Sequence, residues 1–451
     1  MNLVKAIGDR HLFELLRGSF VALIFKLSGV FIGYLFFWVL AMLYGAQGVG
    51  VFSSLWTILM VNVVIAKLGF DTSIVKYIAS FYSQKKFSLI PKIYKKGVLW
   101  ITLTGIVVTG LLMLLSEPLS KLFFETTEFN YLIIIVAISI IPLSLINYNA
   151  EALKGLKNIS GFSIFQNGTV YIATLVIIGV FYLFEKSETT INHSVYSLGI
   201  GLVLLLPISF LFIKKTFERK GNNQKAYIGE LPFTNREILK TTLPMLLSNS
   251  LFLIMSWTDI LMLSAFKPEA EVGIYNTAIK IAALNSIVLV AVNSIAMPKY
   301  AELYERKDSA LFKNFVKQTT LLIFIISLPI LLVIFIFPEF MLGIFGSEFE
   351  TGRDALLILA GAQFFSAISG STIHILKMAG KEIIARNILT ISTLLNIVLN
   401  FILIPEYGIL GAAIATGFTT ILWNGLAVWF IYLKFGFLTY PFNVRLRKGI
   451  K

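Results

Sequence analysis

Apolar runs of about 20 residues recur along the whole sequence. A helix that rises about 1.5 Å per residue needs about 20 such residues to cross roughly 30 Å of membrane hydrocarbon. Each run is predicted to be one transmembrane helix, because lipid offers the backbone no hydrogen-bond partners and a helix satisfies its own. Twelve runs fit this description, at residues 18–43, 49–69, 97–115, 130–150, 162–184, 194–213, 242–264, 273–297, 317–337, 354–376, 384–404 and 409–433.

The composition excludes a soluble fold and several kinds of site. Hydrophobic residues make up 57% of the 451 residues and charged residues 14%, whereas soluble domains are typically about 45–50% apolar and about 25% charged. The absence of cysteine excludes disulfides, thiolate metal sites and a cysteine nucleophile. The first run is too long for the roughly 7–15-residue core of a signal peptide, so we expect an uncleaved first span.

The basic residues alternate between the two sides of the predicted spans. Of the 38 lysines and arginines, 30 fall in the two termini and the even-numbered loops, 4 in the odd-numbered loops and 4 within spans. Cytoplasmic loops carry the excess of basic residues, so both termini are predicted to be cytoplasmic. The net charge of +14 thus reflects topology, and no nucleic-acid partner is expected.

Matching residues recur in the two halves of the chain at an offset of 223 positions. Val49-Gly50-Val51-Phe52 corresponds to Val272-Gly273-Ile274-Tyr275, and Leu153-Lys154 to Leu376-Lys377. Transporters are often built from such duplicated bundles, and six spans per half make the repeat parallel. We expect an N-terminal lobe at 1–215, a cytoplasmic linker at 216–240, a C-terminal lobe at 241–435 and a basic cytoplasmic tail at 436–451.

Several short motifs resemble those of the polysaccharide transport family, the O-antigen and lipid-linked oligosaccharide flippases of the multidrug/oligosaccharidyl-lipid/polysaccharide superfamily. Their order and spacing carry the resemblance over nearly the whole chain, most densely in its second half. They are Leu68-Gly69-Phe70-Asp71-Thr72, Thr258-Asp259-Ile260-Leu261-Met262-Leu263, Val272-Gly273-Ile274-Tyr275-Asn276, Phe345-Gly346-Ser347-Glu348-Phe349 and the stretch from Ile404-Pro405-Glu406-Tyr407-Gly408 to Thr416.

The resemblance implies an all-α integral membrane fold of twelve transmembrane helices, arranged as two six-helix lobes and similar to that of the multidrug and toxic-compound extruders. It implies a transporter in the cytoplasmic membrane that flips a polyprenyl-diphosphate-linked oligosaccharide by alternating access, for export of a cell-surface polysaccharide. The implied partners are membrane lipid, the lipid-linked glycan and a glycan polymerase or export machinery, with the protein itself a monomer. No cofactor is implied, and a coupling ion, H⁺ or Na⁺, stays open.

Four charged residues within the spans are candidates for lining the translocation cavity, since a charge at the membrane centre costs about 2.5–3.5 kcal/mol on insertion scales. Asp259 and Lys280 lie near the outer ends of spans seven and eight and could pair, either as a titratable gate or as a structural tie between helices. Lys26 and Lys67 lie toward the cytoplasmic side, where ammonium groups would attract a diphosphate. Snorkelling of the lysine stem to the interface is the alternative for Lys67.

A second set of candidates lies at equivalent helix ends of the two halves. Glu151 precedes Lys154 by three residues, as His374 precedes Lys377, at the 223-residue offset. These four residues are predicted either to form a cytoplasmic gate or to be ordinary interfacial residues.

Two other functions remain open. A cation-coupled drug or metabolite exporter would share the architecture, and fold does not fix substrate. A membrane-embedded glycan polymerase should carry a large outer loop rich in arginine, histidine or carboxylates, whereas the predicted outer loops are at most about 16 residues long and hold 4 basic residues. No phosphate-binding G-x-x-x-x-G-K-[ST] motif occurs, so we predict a transporter and not an enzyme.

Overall fold

The computed structural model describes residues 10–84, 86–166, 168–184, 190–221 and 234–441. Over these ranges the chain forms fifteen α-helices and one short 3₁₀ helix, and no strand. Residues 222–233 of the predicted linker and residues 442–451 of the basic tail lie outside the described residues.

The chain divides into two compact units, of which the first is Met1–Glu269. Its helices are α1 (Arg10–Lys67), α2 (Phe70–Ser83), α3 (Leu89–Leu114), α4 (Ser116–Phe124), α5 (Asn130–Gly155), α6 (Ile159–Gln166), α7 (Thr169–Phe184), α8 (Ile191–Gly221) and α9 (Asn235–Phe266). The central helix α5 packs against α1, α3 and α8. Its middle is largely buried, and Tyr148 is fully enclosed.

The second unit is Ala270–Lys451. It contains α10 (Glu269–Glu305), α11 (Ser309–Ile336), α12 (Pro338–Gly343), the 3₁₀ helix Ser347–Gly352, α13 (Arg353–Ser369), α14 (Thr372–Met378) and α15 (Glu382–Phe435). A cluster of buried side chains around Tyr300, Phe312 and Leu376 joins α10, α11, α14 and α15 at one end of this unit.

Two of the helices are hairpins that contain two membrane spans each. Gly45 in α1 and Gly408 in α15 have φ values of 64° and 53°, in the left-handed region that interrupts a helix. The rings of Phe36 and Phe52 lie 5.1 Å apart, whereas 16 residues of straight helix would separate them by about 24 Å. The chain therefore folds back at Gly45.

The same evidence applies to α15. The Asn396 side-chain amide donates to the Thr416 hydroxyl at 3.1 Å, although these residues would lie about 30 Å apart on a straight helix. Asn396 therefore links the two arms of a hairpin, which is a packing role.

By length and apolarity, eight described helical segments could cross a membrane, or nine if α6 and α7 form one bent span. The segment Ile24–Lys67 divides into two spans at Gly45, and Glu382–Phe435 divides into two at Gly408. The shorter apolar segment Leu253–Phe266, at the end of α9, supplies one more span. Divided in this way, the helices follow the twelve apolar runs of the sequence. One difference is the tenth run, 354–376, which breaks at Gly370 (φ 75°) into α13 and α14.

The internal repeat is visible in how equivalent helices end. The Asn158 N–H donates to the Leu153 carbonyl at 2.8 Å, and the Lys381 N–H donates to the Leu376 carbonyl at the same distance. Lys157 and Gly380, again 223 positions apart, both have positive φ values. The repeated Leu-Lys pair thus encodes the same helix C-terminus twice, closed by a left-handed residue.

The packing units and the predicted lobes are drawn by different criteria. Helix α9, the seventh span, packs against α1, α2 and α4 and so belongs to the first compact unit. The predicted linker at 216–240 rests on the duplication in the sequence, and it stays a prediction.

Candidate functional site

An ion pair bridges a break at the end of the second span. Helix α1 ends at Lys67 and α2 begins at Phe70, with Leu68 and Gly69 between them in left-handed conformation. The Lys67 Nζ lies 2.7 Å from Asp71 Oδ2, and the two side chains are only 13% and 22% exposed. The helix dipoles favour this arrangement, because the cation lies at a helix C-terminus and the carboxylate in a first turn.

A second ion pair lies at the end of α5. The Lys154 Nζ is 3.0 Å from Glu151 Oε2 and 4.9 Å from the centre of the Phe162 ring, so Lys154 is held by a carboxylate and by the face of an aromatic ring. The Glu151 carboxylate is also close enough to interact electrostatically with Asp71 and Lys67. The two ion pairs therefore belong to one cluster.

Lys26 completes this group, because its ammonium is close enough to that of Lys154 for the two to repel each other. We call these five residues the charge cluster: Lys26, Lys67, Asp71, Glu151 and Lys154. All five belong to the first compact unit, and together they carry three positive and two negative charges.

The sequence separates these residues into two sets. It predicts Lys26 and Lys67 as candidates for the cavity and Glu151 and Lys154 as candidates for a gate, whereas the structure brings all four together. Sequence reasoning missed Asp71 as a site residue. The sequence does place Asp71 four residues after Lys67, a spacing that permits an ion pair on a helix surface. The glycine at position 69 argues against a continuous helix there, so the spacing alone does not identify the pair.

The structure places the other cavity candidates in different units. The Asp259 side chain on α9 is 2% exposed and lies in the first unit. Lys280 lies on α10 in the second unit and is partly buried. Their pairing stays a prediction from sequence.

His374 and Lys377 lie in the short helix α14 of the second unit. Lys377 is exposed and His374 is partly buried, with a ring Nδ1 that has no hydrogen-bond partner among the described residues. His374 is the repeat equivalent of Glu151, but its Nδ1 makes no hydrogen bond within the described part of the chain to match the Glu151–Lys154 ion pair. Over the described ranges, no three histidine, aspartate or glutamate side chains are arranged to hold a metal ion.

Two family profiles match the sequence. The profile described as "Polysaccharide biosynthesis protein" matches residues 15–304, and the profile described as "MatE" matches residues 244–402. The first covers well over half of the chain.

Individual relatives agree with these profiles. The chain is 30% identical to "Probable low-salt glycan biosynthesis flippase Agl15" of Haloferax volcanii over 36% of its own length and 34% of that protein. It is 23% identical to "Capsular polysaccharide biosynthesis protein CapF" of Staphylococcus aureus, over 55% of this chain and 61% of that one. Each match thus spans less than two thirds of the relative.

Solved structures share the fold over nearly the whole chain. An inward-facing multidrug resistance MATE family transporter of the MOP superfamily superposes with a TM-score of 0.71 at 12% identity, covering 92% of this chain and 98% of that one. The lipid II flippase MurJ in an inward closed conformation superposes with a TM-score of 0.58 at 17% identity, covering 85% and 87%. At these identities the likeness establishes the fold alone.

Taken together, the profiles, relatives and fold are those of flippase-type membrane transporters and not of enzymes. Apolar helical spans satisfy their own backbone in lipid, and many transporters are built from internal repeats. The chain belongs to the polysaccharide biosynthesis protein family and has the all-α membrane fold of the MATE-like transporters.

Proposed function

We propose that this protein flips a polyprenyl-diphosphate-linked oligosaccharide across the cytoplasmic membrane by alternating access. The observation that carries the proposal is the charge cluster, in which the Lys67–Asp71 and Lys154–Glu151 ion pairs and Lys26 interact electrostatically on the side predicted to be cytoplasmic. A diphosphate carries at least two negative charges, and lysines bind phosphates as point charges. The cluster would receive the headgroup where the lipid-linked glycan is made.

Family membership supports the same substrate class. The relatives named above are a glycan biosynthesis flippase and a capsular polysaccharide biosynthesis protein. The lipid tail would remain in the membrane while the headgroup crosses, so the partners are the bilayer, the glycan lipid and the polymerase or export machinery that consumes it. The protein acts as a monomer in this proposal, with coupling to H⁺ or Na⁺ open.

Orientation in the membrane is one testable part of the proposal. We expect both termini and the loop at 214–240 to be cytoplasmic, because 30 lysines and arginines lie on that side and 4 on the other. Reporter enzymes fused after Gly221 should be active only if they function in the cytoplasm, and fusions after Lys186 should give the opposite result. Activity of a periplasm-specific reporter at Gly221 would contradict the topology.

The transport activity itself is tested by deleting the gene in its host and restoring it on a plasmid. We expect the deletion to strand lipid-linked oligosaccharide on the cytoplasmic leaflet and Lys67→Gln to restore export poorly, at about a tenth of the wild-type rate or less, since a diphosphate contact would be lost. Lys121→Gln is the matched control, because Lys121 forms an exposed i,i+4 pair with Glu117 at 2.8 Å. Equal export by both variants would remove Lys67 from the site.

A drug or metabolite exporter is the second candidate, because the MatE profile also matches residues 244–402. Dye efflux that requires Asp259, in cells whose surface glycan is normal without the gene, would establish this alternative.

A further inference from the structure

The break between α1 and α2 lies against the backbone of α9 and is spanned by the Lys67–Asp71 ion pair. Leu68 has a φ of 48°, which is costly for a residue with a side chain, and Gly69 has a φ of 77°. A Cβ atom on Gly69 would lie 2.3 Å from the carbonyl oxygen of Thr242 in α9. The Lys67–Asp71 ion pair also spans the break, and the Thr72 N–H donates to the other Asp71 oxygen, Oδ1, at 2.8 Å.

At the equivalent positions the second half of the chain has neither the break nor the ion pair. At the 223-residue offset, Lys67 and Asp71 correspond to Val290 and Ser294, and α10 runs through these positions without interruption. An equivalent span therefore forms without this ion pair. The ion pair is therefore not required to form the repeated span.

Two lysines of the charge cluster, which an anionic ligand would bind, already form ion pairs with carboxylates. Asp71 Oδ2 lies 2.7 Å from Lys67 Nζ, and Glu151 Oε2 lies 3.0 Å from Lys154 Nζ. A phosphate group that approached either ammonium would compete with the carboxylate already there. Because Lys67 and Lys154 each already pair with a carboxylate, a headgroup that binds Lys67 would have to exchange with Asp71.

We propose that the diphosphate headgroup binds Lys67 by displacing Asp71, and that this exchange releases the break at Leu68–Gly69. Asp71 is then a positioning residue that keeps the second span closed until an anionic substrate arrives. The helix break acts as the hinge, as short irregular segments at element ends commonly do. This inference rests on the proposed function, because it assumes that the substrate carries a diphosphate.

The test uses the full-length protein in phosphatidylcholine nanodiscs with farnesyl diphosphate as the probe and farnesol as the uncharged control. We expect Asp71→Asn to bind farnesyl diphosphate about fivefold more tightly than wild type, since the competing carboxylate is gone, and Lys67→Gln to bind about tenfold more weakly. Glu117→Gln, which removes an exposed lysine partner of the same spacing, should leave the affinity unchanged. Weaker or unchanged binding by a folded Asp71→Asn variant would overturn the exchange.

Hydrogen–deuterium exchange on the wild-type protein tests the hinge without any substitution. Farnesyl diphosphate, and not farnesol, should speed amide exchange in residues 67–73, where the Ser73 N–H now donates to the Gly69 carbonyl at 3.1 Å. Slower or unchanged exchange with the probe bound would refute the release of the break. Normal glycan export together with these negative results would leave the proposed function standing, whereas unchanged export in the deletion strain would contradict the proposed function itself.

Discussion

Replacing Gly411 with alanine is expected to destabilise the second unit by about 3 kcal/mol or more, at the upper end of the cost of overpacking. A Cβ atom at this position would lie 2.3 Å from the carbonyl oxygen of Leu403 and 2.5 Å from its carbonyl carbon. These are backbone atoms on the other side of the Gly408 break, so no side chain can rotate away to relieve the clash. The tight hairpin between the last two spans depends on this close approach.

Gly425→Ala provides the matched control, because Gly425 lies in the same helix and a methyl group added there would meet no atom within 4 Å. Alanine is favoured over glycine inside a helix by roughly 0.5–1 kcal/mol, so this variant should be as stable as wild type or slightly more stable. Thermal unfolding in detergent, followed by size-exclusion chromatography, measures both. Equal melting temperatures for the two variants would show that the two arms of the hairpin do not pack this closely.

Removing one member of the Asp259 and Lys280 pair predicted from the sequence should cost about 3–5 kcal/mol, the usual penalty for leaving a buried charge without its partner. The Asp259 side chain is 2% exposed, so its charge needs compensation. Asp259→Asn and Lys280→Met are each expected to insert poorly and to lose export. The double variant should recover folding, because both charges are then gone.

Export by the double variant separates the two roles of this pair. We propose that the pair is part of the outward gate, and a gate must form and break during each cycle. The double variant should then fold normally and still fail to export glycan. Full export by a well-folded double variant would assign Asp259 and Lys280 a structural role, and additive effects of the two single changes would show that they do not interact.

The sequence by itself determined the class of fold, the spans and the repeat. Span length depends only on the local run of apolar residues against a membrane of constant thickness, so the twelve runs could be located without tertiary contacts. The Leu153-Lys154 and Leu376-Lys377 match was also informative, because a helix end is encoded by neighbouring residues and both copies close in the same way. Family membership followed from the order of such local motifs.

Only the tertiary structure decided which charges share a site. Asp71 joins Lys67 because the chain turns through Leu68 and Gly69, and Glu151 interacts electrostatically with both because α5 packs against α1 and α2. The assignment of α9 to the first compact unit and the break at Gly370 likewise depend on contacts between residues far apart in sequence. Hydrophobicity and charge are properties of single positions, whereas a site requires distances between positions, and those exist only in the folded chain.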